Sequence, residues 1–290
     1  MKISRLDLDG AGSPAALVTR ILEVERDLPI PVPIETLAEQ LDIISINELA
    51  TEGFAAALVT DVNKAKGGIL LASSLSPERR RYSIGHELGH FLIPTHVVPP
   101  EGQFLCSRQD MLRFDACEQG RRQRMEYEAN RFAALLLMPP PMLRTELARK
   151  APSLGEVIRL AAEFAVSKEA MARSYVEYNR NDIAIARVRN GAILASIRSK
   201  DFPWIEPKSG EPVPPESLWH DISQIPGTLT QITNCEPDVW FAHKDCHKVQ
   251  SLTEQVLVQA GGHSMILLQA ELRDEDDDEQ GYSGRDWRSR

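Results

Sequence analysis

The sequence lacks the features that mark secreted, membrane-spanning and disulfide-stabilised proteins. It contains no C-x-x-C pair, and its 290 residues include only four cysteines, namely Cys106, Cys117, Cys235 and Cys246. The best candidate for a membrane span, Phe132–Met138, is short and is followed by three prolines. Residues 1–10 lack the apolar stretch of a signal peptide. We therefore expect a cytoplasmic protein without structural disulfides.

The chain also lacks the excess of positive charge that is typical of nucleic-acid-binding proteins. Its formal net charge is −9, and six of its acids form one block, Asp274–Glu279. The rest of the chain is thus only mildly acidic, which predicts no direct binding to DNA. The acidic tail over residues 272–290 is predicted to be disordered.

The most informative string is the H-E-x-x-H pattern His86-Glu87-Leu88-Gly89-His90. Ser76 and Pro77 are typical of the start of a helix, and apolar residues recur at helical spacing until Pro94. Histidines four residues apart lie on one face of such a helix, where both can bind one metal ion beside Glu87, the predicted general base. A catalytic zinc site needs a third protein ligand and an open position for water.

Candidates for that third ligand lie in a second predicted helix, residues 121–138. Glu126 and Glu128 flank its apolar stripe on opposite sides. Helical geometry alone does not choose between these two carboxylates.

Two strings together resemble the ImmA/IrrE-like metallopeptidase family. They are Ser83-Ile84-Gly85-His86-Glu87-Leu88-Gly89-His90 and Glu126-x-x-Ala129-Asn130-x-Phe132-Ala133-Ala134-Leu135-Leu136-Leu137-Met138-Pro139. The resemblance covers about residues 15–178 and implies a zinc-dependent endopeptidase, with Mn²⁺ as an alternative metal. It also implies that Glu126 is the third metal ligand and that Asn130 orients a ligand. The best-understood members cleave helix-turn-helix transcriptional repressors and so release stress-response or mobile-element genes.

The order of predicted elements favours an α+β fold. We expect a zincin-like core over residues 1–145, a helix-turn-helix-like extension over 146–181 and a smaller β-rich C-terminal domain over 182–271 before the tail. In the core, a hairpin of residues 54–59 and 68–72 precedes the metal-binding helix, and residues 94–119 are predicted to be an irregular loop with short helical pieces. An extended substrate would add as a strand beside the edge formed by Gly68–Ala72.

No residue stands out as the group that stabilises the oxyanion. Tyr82, one helical turn before His86, and His96, just past the helix end, are the two candidates.

A second histidine cluster, His243-Lys244-Asp245-Cys246-His247, competes as a metal site. It has no glutamate after its first histidine, and we interpret it as ordinary surface or core residues. Cys106 and Cys117 are interpreted as buried or loop thiols rather than ligands. The helix pair over residues 154–178 has mixed charges rather than a basic recognition face, which favours packing over DNA binding.

The leading hypothesis is a site-specific metalloendopeptidase that cleaves a transcriptional repressor. One alternative is a regulatory protein that binds its partner without cleaving it. Another is a toxin or defence component of a mobile element.

Overall fold

The computed structural model describes residues 1–98, 102–107 and 120–273, and within these ranges the fold is α+β, as predicted. The helices are α1 (Pro14–Val24), α2 (Ile34–Gln40), α3 (Pro77–Leu92), α4 (Arg121–Leu137), α5 (Pro140–Leu147), α6 (Leu154–Glu163), α7 (Lys168–Tyr178) and α8 (His243–Cys246). The strands are β1 (Ile43–Leu49), β2 (Ala56–Thr60), β3 (Gly67–Ala72), β4 (Gln103–Cys106), β5 (Ile183–Arg189), β6 (Ala192–Arg198), β7 (Thr233–Cys235), β8 (Val249–Val258) and β9 (His263–Leu272). Cys117 and residues 274–290 of the predicted disordered tail lie outside the described residues.

The chain divides into two compact units. One comprises residues 1–146 and 158–174, and the other comprises residues 147–157 together with the chain from residue 175 onward. The helices α6 and α7 contribute residues to both units, so the predicted boundaries of a separate helical extension stay a prediction. In the described ranges, no helix has the length and apolar character needed to cross a membrane.

The first unit is built on a four-stranded sheet with the order β1-β3-β2-β4. The predicted hairpin is confirmed, since β2 and β3 pair antiparallel, and β1 runs parallel to β3 on the other side. The predicted substrate position beside Gly68–Ala72 is wrong, because β3 has a neighbouring strand on both sides. Within the described residues, β1 and β4 form the sheet edges instead.

The prediction of an irregular loop over residues 94–119 missed the strand β4. Residues Gln103–Cys106 pair antiparallel with β2, and Phe104 lies opposite Leu58. A strand of four residues is too short to show a periodic pattern, so only its pairing with β2 reveals it.

The helix α3 forms where its sequence predicts. The Ser76 hydroxyl accepts a hydrogen bond from the Arg79 N–H at 3.3 Å, and Pro77 takes the first helical position. α3 packs closely on α4, since a Cβ atom added to Gly89 would lie only 3.1 Å from the Cα of Ala129. Glycine at this point of α3 lets the two backbones approach.

The prolines at 139–141 end α4 as predicted, but a further helix, α5, starts directly at Pro140. Proline is tolerated in the first turn of a helix because the amides there have no partner within the helix. The helices predicted over residues 154–178 are confirmed as α6 and α7.

The second unit contains a five-stranded antiparallel sheet with the order β6-β5-β9-β8-β7. Asn190 and Gly191 form the predicted turn between β5 and β6, with φ values of 50° and 79°. The second predicted hairpin forms from β8 and β9, which are longer than the apolar runs suggested. The core of the second unit includes the large buried side chains Phe202, Trp240 and Phe241.

Candidate metal centre

Three side chains from α3 and α4 bring metal-binding atoms together inside the first unit. His86 and His90 are fully buried, and their Nε2 atoms lie 3.1 Å apart. The Oε2 atom of Glu126 lies 3.2 Å from the Nε2 of His86 and 3.4 Å from the Nε2 of His90. The structure therefore places Glu126 with the two histidines that the H-E-x-x-H spacing predicts on one helix face.

A polar contact behind His86 sets the position of its proton. The Asn130 Oδ1 lies 2.9 Å from the Nδ1 of His86, and the same oxygen accepts a hydrogen bond of 2.9 Å from the Tyr82 hydroxyl. An amide oxygen only accepts, so the neutral His86 ring must carry its hydrogen on Nδ1. Burial alone would lower the pKa of His86, but its contacts with Glu126 and Glu87 raise that pKa, so the Nε2 of His86 shares a proton with Glu126 in the metal-free protein.

A second chain of contacts acts on His90. The Glu128 carboxylate lies 3.0 Å from the Nε2 of His96, and the Nδ1 of His96 lies 3.0 Å from the Nδ1 of His90. Because the carboxylate accepts the Nε2–H of His96, the free Nδ1 of His96 accepts the Nδ1–H of His90. Burial lowers the pKa of His90 to about 4, which keeps its ring neutral. The Nε2 atom of His90 therefore has a free lone pair that faces the cluster.

The three converging atoms fit a divalent cation. A tetrahedral zinc ion with bonds of about 2.0–2.1 Å has ligand atoms about 3.3 Å apart, close to the separations between the Nε2 and Oε2 atoms here. Burial alone would raise the pKa of Glu126, but its contacts with His86 and His90 hold that pKa well below the usual range. Three lone pairs facing one point attract a metal ion or a proton.

Glu87 lies beside this cluster with an unpaired carboxylate. Its side chain is fully buried, and neither of its oxygens has a hydrogen-bond partner. Burial raises the pKa of Glu87 to about 7, although nearby His86 opposes the shift. Buried carboxylates are normally paired, so an unpaired one beside three metal-binding atoms marks a site for chemistry.

Cys106 joins the cluster from β4, a position that sequence reasoning missed. Its thiol is buried, as interpreted from the sequence, but its sulfur lies within 4.8 Å of the ligand atoms of His86, His90 and Glu126. Within residues 1–98, 102–107 and 120–273, these four residues form the only group of three or more potential metal ligands. The second histidine cluster, on α8, does not form such a group.

The structure gives the two predicted oxyanion-stabilising residues other contacts. The Tyr82 hydroxyl donates to Asn130, and His96 lies between His90 and Glu128. Tyr82 therefore acts on His86 through Asn130, and His96 contacts His90 directly. A role of either residue at the oxyanion stays a prediction. Glu128, the alternative third ligand, contacts His96 rather than His86 and His90.

Comparison with known families explains this arrangement. Residues 43–174, which include α3, β4 and α4, match the Peptidase M78 family, described as the IrrE N-terminal-like domain. This match confirms the resemblance to a metallopeptidase family that the two sequence strings carry.

Among solved structures, a Mycobacterium tuberculosis transcriptional regulator is similar to this chain. The alignment has a TM-score of 0.49 and 15% identity, and it covers 92% of this chain and 74% of that one. No curated protein matches the chain.

Proposed function

We propose that the protein is a metal-dependent endopeptidase that works in the cytoplasm and cleaves a transcriptional repressor. The observation that carries this proposal is the convergence of three metal-binding atoms from His86, His90 and Glu126 beside the unpaired carboxylate of Glu87. The choice of a helix-turn-helix repressor as substrate rests on the family resemblance.

His86, His90 and Glu126 would hold the ion. A set of two imidazoles and one carboxylate suits Zn²⁺, with Mn²⁺ as the alternative. When bound, the metal supplies Lewis acidity, which lowers the pKa of a water molecule and polarises the scissile carbonyl. Asn130 and His96 orient the two imidazoles, because each contacts the Nδ1 atom that faces away from the cluster.

Glu87 acts as the general acid–base group. Its carboxylate oxygens are unpaired and are therefore available to accept a proton from the attacking water. The same carboxyl group then delivers this proton to the leaving amine. In the metal-free protein, burial raises the pKa of this carboxyl group to about 7.

The substrate segment would bind in an extended form at the outer edge of β4. This strand pairs with β2 on one side only within the described residues, and it carries Phe104, whose ring stacks on His90 at a centroid distance of 4.7 Å. A peptide added to this edge gains main-chain hydrogen bonds next to the candidate metal centre.

The test uses the purified protein, the repressor encoded nearest its gene, and paired variants. Glu87→Gln should leave the zinc content unchanged and slow cleavage by about 10²–10⁴-fold, because the proton acceptor is lost. Glu126→Ala should lose most of the bound zinc, whereas the matched variant Glu128→Ala should retain it. Zinc content is measured by mass spectrometry of the metal, and cleavage by gel electrophoresis.

Two results would contradict the proposal. Full cleavage by Glu87→Gln would overturn the role of Glu87, and zinc loss in Glu128→Ala but not in Glu126→Ala would overturn the ligand assignment. A stable complex between the wild-type protein and an uncleaved repressor in zinc-containing buffer would favour the non-cleaving regulatory function. Metal-dependent growth arrest that a neighbouring gene relieves would favour the toxin or defence function.

A further inference from the structure

The candidate metal centre contains one more potential ligand than a catalytic site uses. We propose that the Cys106 thiolate is a fourth metal ligand that closes the centre and keeps the resting peptidase latent. This inference rests on the proposed function, since it concerns the regulation of the same site.

The position of Cys106 follows from the register of β4. Ala56 lies opposite Cys106 on β2, and the Ala55 N–H donates a hydrogen bond of 3.0 Å to the Cys106 carbonyl. Side chains two residues apart share a face of a strand, so Cys106 and Phe104 point the same way. The Phe104 ring stacks on the His90 imidazole at an interplanar angle of 23°. The strand therefore directs the sulfur toward the histidines.

The sulfur lies close to both the metal-binding atoms and the base. It is within 4.8 Å of the ligand atoms of His86, His90 and Glu126, and its side chain is 1% exposed. Burial raises the pKa of the fully buried Glu87, and a side-chain contact with the Cys106 thiol partly opposes this shift.

The chemistry of the donor set explains how latency would arise. Zinc sites with four protein ligands are closed and structural, whereas catalytic sites keep one position for water. A thiolate is a strong zinc ligand, and when it binds, the thiol proton passes to solvent as the sulfur–metal bond forms. With Cys106 in the fourth position, Glu87 has no activated water beside it.

In this proposal, the site opens by a shift of β4. β4 has four residues, and β2 is its one partner strand within the described ranges. A shift of this edge strand carries the sulfur away while His86, His90 and Glu126 remain on α3 and α4.

The deciding measurement is the absorption spectrum of the full-length protein loaded with Co²⁺. The wild type should have a thiolate-to-cobalt charge-transfer band in the near ultraviolet, and Cys106→Ala should lack it. Cys246→Ala is the matched control, because the Cys246 sulfur contacts the Ala242 carbonyl in the second unit, and it should keep the band. Cys106→Ser, which preserves the size of the side chain, should also lose the band and provides a second folded variant.

Two further readouts test the closing role. Cys106→Ala should bind Zn²⁺ at least about tenfold more weakly. Even the loss of a residue that only contacts a metal ligand lowers metal affinity by about that factor. It should also cleave the repressor severalfold faster than the wild type, because the fourth position is open.

Each contrary outcome has a distinct meaning. A wild-type protein that binds Co²⁺ without the band, or a band that survives in both Cys106 variants, overturns the fourth-ligand assignment. Equal cleavage rates in the wild type and Cys106→Ala overturn latency alone. A wild type that binds no Co²⁺ or Zn²⁺ overturns the proposed metal centre itself, and this inference falls with it.

Discussion

The two units of the chain treat their buried polar groups differently. In the second unit, the buried Glu254 accepts hydrogen bonds from the Ser217 hydroxyl and the Leu218 N–H, and Gln255 contacts both the Leu154 N–H and the Thr230 carbonyl. In the first unit, Glu87 is buried with both carboxylate oxygens unpaired. Among the described residues, the unpaired buried side-chain atom of the second unit is the Trp240 Nε1.

This difference separates groups that hold a fold together from groups that are kept ready for a ligand. A satisfied network such as that of Glu254 makes the packing specific. Unpaired carboxylates and facing lone pairs cost stability, and that cost is typical of functional sites. We therefore expect core substitutions in the second unit to affect folding, and substitutions around the metal centre to affect pH response and metal affinity.

The largest expected effect is on the core of the second unit. Trp240→Ala removes a side chain that is 0% exposed and should lower the free energy of unfolding by about 3–5 kcal/mol. The matched variant Trp204→Ala removes an indole that is 73% exposed and stacked under Arg198, and should cost less than about 1 kcal/mol. Urea unfolding curves measure both values. Equal losses would contradict the assignment of Trp240 to the core.

A smaller effect concerns the unpaired base. Glu87 has an ordinary pKa of 4.5, and burial raises it to about 7 in the folded protein. Protonation of Glu87 therefore stabilises the metal-free fold fully below about pH 4.5, and this contribution is lost as the pH rises through 7. This difference between the unfolded and folded pKa values contributes about 3 kcal/mol to the free energy of unfolding.

Comparison with Glu87→Gln, which has no titrating group at this position, isolates the contribution. Between about pH 4.5 and pH 8, the metal-free wild type should lose about 3 kcal/mol more stability than the variant. Urea unfolding at several pH values provides the measurement. Parallel stability curves for the two proteins would mean that the Glu87 carboxylate is not held unpaired in the fold.

The smallest effect concerns the support of His86. Asn130→Ala removes the oxygen that accepts the His86 Nδ1–H and should weaken zinc binding by about 10–100-fold, because the imidazole loses its orientation. Asn130→Asp keeps acceptor oxygens and should recover most of the affinity. Competition with a chelator measures the dissociation constants. Unchanged affinity in Asn130→Ala would show that the packing of α3 alone orients the ring.

Local sequence patterns predicted α3 of the site and the β5–β6 turn of the second unit. The start of α3 follows from Ser76 and Pro77, and the β5–β6 turn follows from Asn190-Gly191, because capping and turn preferences act over a few residues. Strand β4 was not predicted, because local preferences are weak over so short a segment. Its four residues contain too little local signal, and pairing with β2 stabilises it.

The sequence by itself determined which α3 residues share a face, because helical periodicity alone places His86 and His90 one turn apart with Glu87 beside them. The tertiary structure decided which α4 carboxylate meets them. Glu126 lies with the histidines because α4 packs closely on α3 at Gly89, whereas Glu128 contacts His96.

The tertiary structure also brought Cys106 to the same point, through the pairing of β4 with β2. Contacts of this kind join segments that are far apart in the chain. They depend on how whole elements pack, which no local periodicity encodes.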